Sequence, residues 1–184
     1  MTNSPSQVET APDGPDLHAR LRAVEDRLAI YNLIASHPPI IDTQDMAAMK
    51  NMFSADGILD RGPEFGAVRV HDLPAAVDPE MLAAATQRGL LHLTTLPYVV
   101  LGDGTATAVS YVAATVGEPF AESFPVPAHG EGRGYRLFRI TANRWDLVKE
   151  DGAWKITRRT LLLMDDSGAG RALMSEALHD GSTG

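Results

Sequence analysis

The pattern of apolar and polar positions divides the chain into a helical first part and an extended second part. Over residues 17–35 apolar side chains recur at steps of three and four, which is the spacing of one face of an α-helix. Asp16 stands at the expected N-cap. The Pro38–Pro39 pair predicts the end of the helix at His37, because proline donates no backbone hydrogen bond and forces the preceding residue out of the helical region.

Two more helices are predicted before the extended part. One begins near Thr43 and ends before Gly57. The other is DPEMLAAATQRG, which has an acidic first turn and a terminal glycine. Between them, GILD and AVRV are typical of two short strands that pair around Gly62–Pro63. The side chains predicted to face the core from the first of these helices are Met46, Met49, Met52 and Phe53.

From Leu90 onward the sequence is typical of a β-sheet. Gly102–Gly104 predicts a tight turn between two β-branched stretches, and Asp151–Gly152 predicts a second turn after a long strand. A Pro/Gly-rich loop at 117–132 separates the two hairpins, and residues 165–184 form a polar tail with a weakly patterned helix. Helices followed by antiparallel strands indicate an α+β fold, in which the helices cover one face of a curved sheet and enclose a pocket.

Length and composition support one folded domain. The chain has 184 residues, a formal net charge of −8 and no cysteine. We expect a disordered leader at 1–15, a single soluble domain at 16–164 and the tail at 165–184. Without cysteine, disulfide frameworks, zinc knuckles, iron–sulfur clusters and thiol nucleophiles are excluded. Catalysis would therefore depend on His, carboxylate, hydroxyl or amide groups.

The sequence also disfavours several partners and locations. The first sixteen residues lack the basic and apolar segments of a secretory signal, and no apolar run is long enough for a membrane span, so a cytoplasmic protein without a membrane partner is predicted. Basic residues concentrate at 133–159 without a nucleic-acid motif, which favours a solvated sheet face over a nucleic-acid partner. No histidine pair has metal-binding helical spacing, so neither a metal nor a cofactor is predicted.

His92 is the first candidate for chemistry. It lies in LLHLTTL, where strand alternation places it on one face with Leu90, Thr94 and Leu96. An isolated histidine in an apolar strand is either a core residue with satisfied hydrogen bonds or, where its face lines a pocket, a group that transfers protons near neutral pH.

Asp42 and Asn143 are the other candidates. Asp42 is either the N-cap of the second helix or an inward carboxylate that needs a partner such as His92. A buried Asp–His pair would fix the tautomer and orientation of the imidazole. Asn143 shares a strand face with Thr141 and Trp145, and it is either at a β-bulge or offered to a ligand.

Together these segments resemble the SnoaL-like branch of the NTF2-like superfamily, and most closely its scytalone dehydratase-like and polyketide cyclase-like members. The resemblance covers residues 16–164. It implies an α+β cone, in which N-terminal helices pack on a strongly curved, mostly antiparallel sheet around an apolar pocket, and a homo-oligomer, dimer or trimer. The segments that carry it, in chain order, are VEDRLAIYNLI, IDTQDMAAMKNMFSADGILD, LLHLTTLPYVVLGDGTATAVSYV and NRWDLVKEDGAWKITRRT.

The resemblance also implies roles for single residues. In dehydratase-like members an aspartate after the first helices and a histidine early in the sheet form the catalytic couple, and Asp42 and His92 match these positions. A tyrosine commonly found ahead of the aspartate is replaced here by His37 or Ile41, depending on the alignment. A second substrate-binding tyrosine falls at Arg61.

We therefore expect a cofactor-independent lyase or isomerase, such as a dehydratase, cyclase or double-bond isomerase, that acts on an apolar cyclic polyketide, terpenoid, steroid or aromatic compound. His92, oriented by Asp42, would remove a proton, and Asn143, helped by Tyr111, would hold the substrate oxygen. The alternative is a non-catalytic module that binds a small molecule or a partner, because one fold serves many functions. The expected substrate-binding residues are Met49, Phe53, Arg61, Leu96, Tyr111, Asn143 and Trp145.

Overall fold

The computed structural model describes residues 16–73 and 79–180, so the predictions for residues 1–15 lie outside the described part. The helices are α1 (Leu17–Ala35), α2 (His37–Asp42), α3 (Met46–Met52), α4 (Gly62–Phe65), α5 (Pro79–Gln87) and α6 (Ala169–Asp180). The strands are β1 (Phe53–Asp60), β2 (Ala67–Arg69), β3 (Leu91–Thr94), β4 (Tyr98–Leu101), β5 (Thr105–Gly117), β6 (Phe124–Val126), β7 (Gly130–Gly132), β8 (Tyr135–Glu150) and β9 (Ala153–Leu163).

The proline pair starts a helix, contrary to the prediction that it only ends one. His37 is the first residue of α2, and the prolines occupy its first turn. Backbone N–H groups in a first turn have no acceptor within the helix, so proline loses nothing there. The next helix starts at Met46 instead of near Thr43, because Asp45 caps α3 by accepting a hydrogen bond from the Ala48 backbone nitrogen at 2.9 Å.

The first helix forms as predicted, but its regularly spaced apolar side chains do not all reach the core. Asp16 occupies the N-cap position without a side-chain cap hydrogen bond. Ile30 and Ile34 are fully buried. The earlier apolar positions of α1 are exposed. They are Leu17, Leu21, Val24 and Leu28.

The strands form one large mixed sheet and a small hairpin. The large sheet has the order β2-β1-β9-β8-β5-β3, and β4 pairs with β5 beyond the end of β3. The β1–β9 pair is parallel and the other pairs are antiparallel. Both predicted turns are present: Gly104 has a φ of +66°, and Asp151 and Gly152 have φ values of +49° and +82°, which matches the right-handed twist of hairpin strands. The Pro/Gly-rich loop contains the β6–β7 hairpin.

The sheet has an inner and an outer face, which position the site. The inner face carries Ala108, Trp145 and Ile156 and packs against the N-terminal helices in the main core cluster. The outer face carries Ala142, which is buried where α6 packs on β8. Register shifts in the β5–β8, β8–β9 and β1–β9 pairs mark bulges, which bend strands. The predicted α+β architecture of helices on a curved sheet is therefore confirmed.

Candidate active site

Asp42 and His92 contact each other on the inner side of the sheet. Asp42 ends α2, which packs on β3, the strand that carries His92. Asp42 Oδ1 lies 2.6 Å from His92 Nδ1, and Asp42 Oδ2 accepts a hydrogen bond from the His92 backbone nitrogen at 3.0 Å. The alternative in which Asp42 caps the second helix is wrong, because Asp45 has that role.

The paired contacts fix the protonation pattern of the imidazole. A carboxylate only accepts hydrogen bonds, so the neutral ring carries its proton on Nδ1 and leaves a lone pair on Nε2. The side chains of His92 and Asp42 are 18% and 14% exposed, so the pair is sheltered without being sealed off. This arrangement suits proton abstraction by Nε2, with the carboxylate stabilising the imidazolium that forms.

A second polar cluster lies deeper, around Arg159. Its guanidinium donates to Asn143 Oδ1 from Nε at 3.0 Å and from Nη2 at 2.7 Å. Its Nη1 donates to His37 Nε2. Asn143 Nδ2 in turn donates to the Thr141 carbonyl at 3.1 Å and to Thr141 Oγ1 at 3.0 Å. His37 and Arg159 are only 2% and 5% exposed, so the cluster is almost completely removed from water.

Burial sets the charge states in this cluster. The pKa of His37 is lowered well below its usual value, first by desolvation and then by the nearby charges of Arg159 and His92. Burial also lowers the pKa of Arg159 to about 9. At neutral pH, Arg159 is therefore a buried cation and His37 is a neutral imidazole.

Trp145 packs against the Arg159 cluster. Its Nε1 donates to Ser110 Oγ at 3.0 Å. The guanidinium carbon of Arg159 lies 4.5 Å from the Trp145 ring centroid, and the His37 ring meets the indole edge-on at 5.5 Å. The indole therefore holds both polar side chains against the inner face by cation–π and aromatic contact.

A cavity of about 250 Å³ opens over the same face, and Arg61, Thr141 and Leu161 are among its lining residues. His92 pairs across the sheet with Ala114, and Ala114 pairs with Arg139, which also lines this cavity. Neighbouring strands are about 4.8 Å apart, so the backbone of Arg139 lies roughly 10 Å from that of His92 along one row.

Several expected pocket residues lie elsewhere. Tyr111 follows the inward Ser110 on β5 and so faces outward, where it lines a separate cavity of about 400 Å³ with Leu93. Leu96 is 76% exposed and lines neither cavity. Met49 and Phe53 belong to the main core cluster, where they support the inner face without lining either cavity.

Asn143 also differs from its expected role. Both of its amide hydrogens are used by Thr141, and its oxygen accepts from Arg159. No donor remains for a substrate oxygen, so Asn143 positions Arg159 instead. Its full burial and the absence of a register shift at Asn143 also exclude the bulge alternative.

Two residues of the site were missed by the sequence analysis. His37 was expected only as a replacement for a tyrosine at the helix end, but α2 buries it. Arg159 was counted among the basic residues of a solvated face. Alternation from Trp154 and Ile156 would place Arg158 inside, but the register skips Thr157, so Arg159 faces inward instead. No local signal in the sequence marks this bulge.

Other kinds of site were also considered. Within 16–73 and 79–180, no group of three or more His, Asp or Glu side chains could hold a metal ion. In the same ranges no helix has the length and apolar character that a membrane crossing requires.

The sequence and structure of this chain were compared with known proteins. A family model described as the SnoaL-like domain matches residues 22–160. No curated protein matches the chain significantly in sequence.

Several solved protein structures have a fold similar to that of this chain. An NTF2-like protein with a cystatin-like fold from Novosphingobium aromaticivorans is 27% identical, with a TM-score of 0.75, and the match covers 89% of this chain and 97% of that one. A putative scytalone dehydratase from the same organism is 20% identical, with a TM-score of 0.57, and the match covers 80% and 89%. A hexachlorocyclohexane dehydrochlorinase, LinA type 2, is 12% identical, with a TM-score of 0.55, and the match covers 79% and 90%. These matches confirm the NTF2-like fold.

Proposed function

Because this chain belongs to the SnoaL-like domain family, we propose that it is a cofactor-independent lyase or isomerase with His92 as its general base. The observation that carries the proposal is the double contact of one carboxylate with the imidazole and the backbone nitrogen of the same histidine, at 2.6 Å and 3.0 Å. The carboxylate holds both the backbone nitrogen and the imidazole ring of His92, and it keeps the lone pair of the neutral ring on Nε2.

The reaction starts with proton removal from a carbon next to a carbonyl, or from a carbon opposite a leaving group. Nε2 of His92 takes the proton, and the Asp42 carboxylate stabilises the imidazolium without being protonated itself. The electron pair then has three outcomes. It expels a leaving group, which gives an elimination, or it takes up a proton at another carbon, which gives an isomerisation. In a ring closure it attacks a carbonyl carbon of the same molecule, and the carbonyl oxygen takes the proton from the imidazolium. A positioned general base of this kind accelerates a reaction about a hundred- to ten-thousandfold.

The names of similar proteins support this reaction class. A dehydratase and a dehydrochlorinase both carry out eliminations, and a structure of each has this fold. The apolar surroundings of the inner face favour a cyclic, largely apolar substrate. We also propose a cytoplasmic homo-oligomer that assembles through the exposed apolar side chains on the outer face, such as Leu93 and Leu137.

A test is available without knowledge of the natural substrate. Exchange of the α-protons of 2-tetralone with deuterated solvent, followed by NMR, reports proton abstraction from carbon. We expect the native protein to accelerate this exchange and His92→Asn to lose the acceleration, because the amide can still donate to Asp42 but cannot act as a base. His129→Ala removes an exposed histidine of the β6–β7 hairpin and is the matched control.

Equal exchange rates for the native protein and His92→Asn would overturn the proposal. They would favour the alternative of a module that only binds a ligand. Thermal unfolding of each variant shows whether the comparison is made on folded protein.

A further inference from the structure

The unused hydrogen-bonding groups of the interior are all donors. In the described ranges, the fully buried side-chain polar atoms without a hydrogen-bond partner are His37 Nδ1 and Arg61 Nε. His37 Nε2 accepts from Arg159, so the proton of this neutral ring is on Nδ1, and Arg61 Nε always carries a hydrogen. Both atoms are therefore N–H groups without an acceptor.

Arg159 adds further unused donors and a charge. A guanidinium has five N–H groups, and the structure uses three of them, two on Asn143 and one on His37. Among the ion pairs of residues 16–73 and 79–180, none joins a carboxylate to Arg159 or Arg61. An uncompensated buried cation destabilises a fold, so its presence calls for an anion that the chain itself does not supply.

These groups are connected to the cavity. Arg61 and Thr141 both line it, and Thr141 Oγ1 accepts the hydrogen bond from Asn143 that links it to Arg159. Apolar side chains such as Phe65 and Leu161 form other parts of its wall. A ligand in this cavity meets apolar surface and the guanidinium groups of Arg61 and Arg139. The carboxylates of Glu64 and Asp165 also line the wall, but among the ion pairs of the described residues neither is paired with Arg61. The Thr141 hydroxyl donates its own hydrogen to the Val112 carbonyl at 3.2 Å. The ligand also lies in the field of the buried Arg159 guanidinium.

From this arrangement we infer that the substrate of the proposed reaction is a ring compound with an anionic oxygen, a carboxylate or a phenolate, that binds Arg61 in the cavity while its reacting carbon faces His92. The inference rests on the proposed function for the position of the reacting carbon. The distance of roughly 10 Å between the backbones of Arg139, which lines the cavity, and His92 is two strand spacings, and it is the span of a molecule of two or more fused rings. Arg159 does not touch this ligand directly; its buried positive charge acts on the anion across the low-dielectric interior, and Asn143 holds it in place.

Binding of a matched pair of probes tests the inference. The acid 2-naphthoate and the neutral 2-naphthamide have almost the same shape, and their affinities at pH 7 can be measured by calorimetry. We expect the native protein to bind the acid at least tenfold more tightly. Arg61→Gln should reduce this preference to less than twofold, mainly by weakening the binding of the acid.

A control variant separates a specific contact from net charge. Arg158→Gln also removes one positive charge, but Arg158 is 46% exposed and forms an ion pair with Asp60 at 2.5 Å, so the tenfold preference should remain. Arg159→Gln should weaken the preference without raising affinity for the amide. If this variant fails to fold, the Arg61→Gln result decides the question.

The outcomes distinguish the two proposals. No preference for the acid in the native protein, or a preference that survives Arg61→Gln, would overturn the anion subsite even if 2-tetralone exchange depends on His92. A preference that depends on Arg61, together with exchange that does not depend on His92, would support the subsite and remove the proposed reaction.

Discussion

Replacement of Asp42 by asparagine should move the proton of His92 from Nδ1 to Nε2. The carboxylate accepts hydrogen bonds from both the imidazole Nδ1 and the backbone nitrogen of His92. An amide offers one acceptor and one donor group in the same space. If its oxygen keeps the backbone contact, its NH₂ group faces Nδ1, and this contact is favourable only when Nδ1 carries no hydrogen.

The two contacts determine the size of the effect. A hydrogen bond to a charged group is worth about 1.5–3 kcal/mol, which corresponds to a roughly ten- to hundredfold preference for the Nδ1–H form in the native protein. In Asp42→Asn a neutral hydrogen bond of about 0.5–1.5 kcal/mol favours the Nε2–H form, so the preference reverses by about two- to tenfold. About a third to a tenth of the rings then keep a lone pair on Nε2, so proton abstraction from 2-tetralone should fall about three- to tenfold from the tautomer shift alone. It should fall further because the amide carries no charge to stabilise the imidazolium.

Long-range ¹H–¹⁵N spectra of uniformly ¹⁵N-labelled protein distinguish the two neutral tautomers, and loss of the signal in His92→Asn assigns it. Asp45→Asn is the matched control, because Asp45 is a nearby carboxylate that caps α3 and does not contact His92. A His92 ring that keeps its proton on Nδ1 in Asp42→Asn would refute the argument that the carboxylate selects the tautomer.

Three further outcomes are expected. Gly57→Ala should lower the melting temperature by several degrees relative to Gly132→Ala. A Cβ at 57 would lie 2.9 Å from a carbonyl oxygen of β9, whereas a Cβ at 132 meets nothing within 4 Å. Overpacking of this kind costs about 1–3 kcal/mol, and equal melting temperatures of the two variants would contradict the prediction. Because the pKa of His37 is lowered in the folded protein, His37 takes up a proton in the unfolded chain first as pH falls below about 6.5. The free energy of unfolding should therefore decrease between pH 6.5 and the pKa of His37 in the folded protein. In urea titrations at successive pH values, His37→Gln should make this decrease shallower. Asp26 accepts a hydrogen bond from Lys149 at 2.6 Å, which lowers the pKa of the Asp26 carboxyl group. Asp26→Asn should therefore reduce the free energy of unfolding by about 1 kcal/mol at pH 7, and by progressively less below the unfolded pKa of 3.8. A reduction that does not change with pH would show that the charge of Asp26 is not responsible.

Local patterns were sufficient for most of the fold because each depends on neighbours in sequence. The two glycine turns required positive φ values, and the face shared by Thr141, Asn143 and Trp145 followed from strand alternation. The Asp42–His92 contact was one of two alternatives for Asp42, because an inward carboxylate needs a partner, and the family resemblance implied the same pair. Its geometry agrees with that reasoning.

The remaining errors concern which surface covers which residue. Regular spacing predicted that Leu21 and Leu28 lie on one face of α1. Spacing within a helix does not determine whether another element covers that face, and both side chains are exposed. Tyr111 was expected near the substrate from its residue type alone, whereas its neighbour Ser110 faces inward and so turns Tyr111 outward. The position of Arg159 depended on a single extra residue in β9. Such features depend on the register between strands that are distant in sequence, and this register cannot be predicted from a local sequence pattern.

The long sequence separation between the members of the buried cluster ties the site to completion of the polypeptide. His37 and Arg159 are 122 residues apart, and Asp42 and His92 are 50 apart. Because Arg159 lies on β9, the last strand of the sheet, a nascent chain cannot join Arg159 to His37 and Asn143 until β9 has left the ribosome. A prematurely terminated chain would therefore carry Asp42, His92 and Arg61 but lack the buried charge of the cluster.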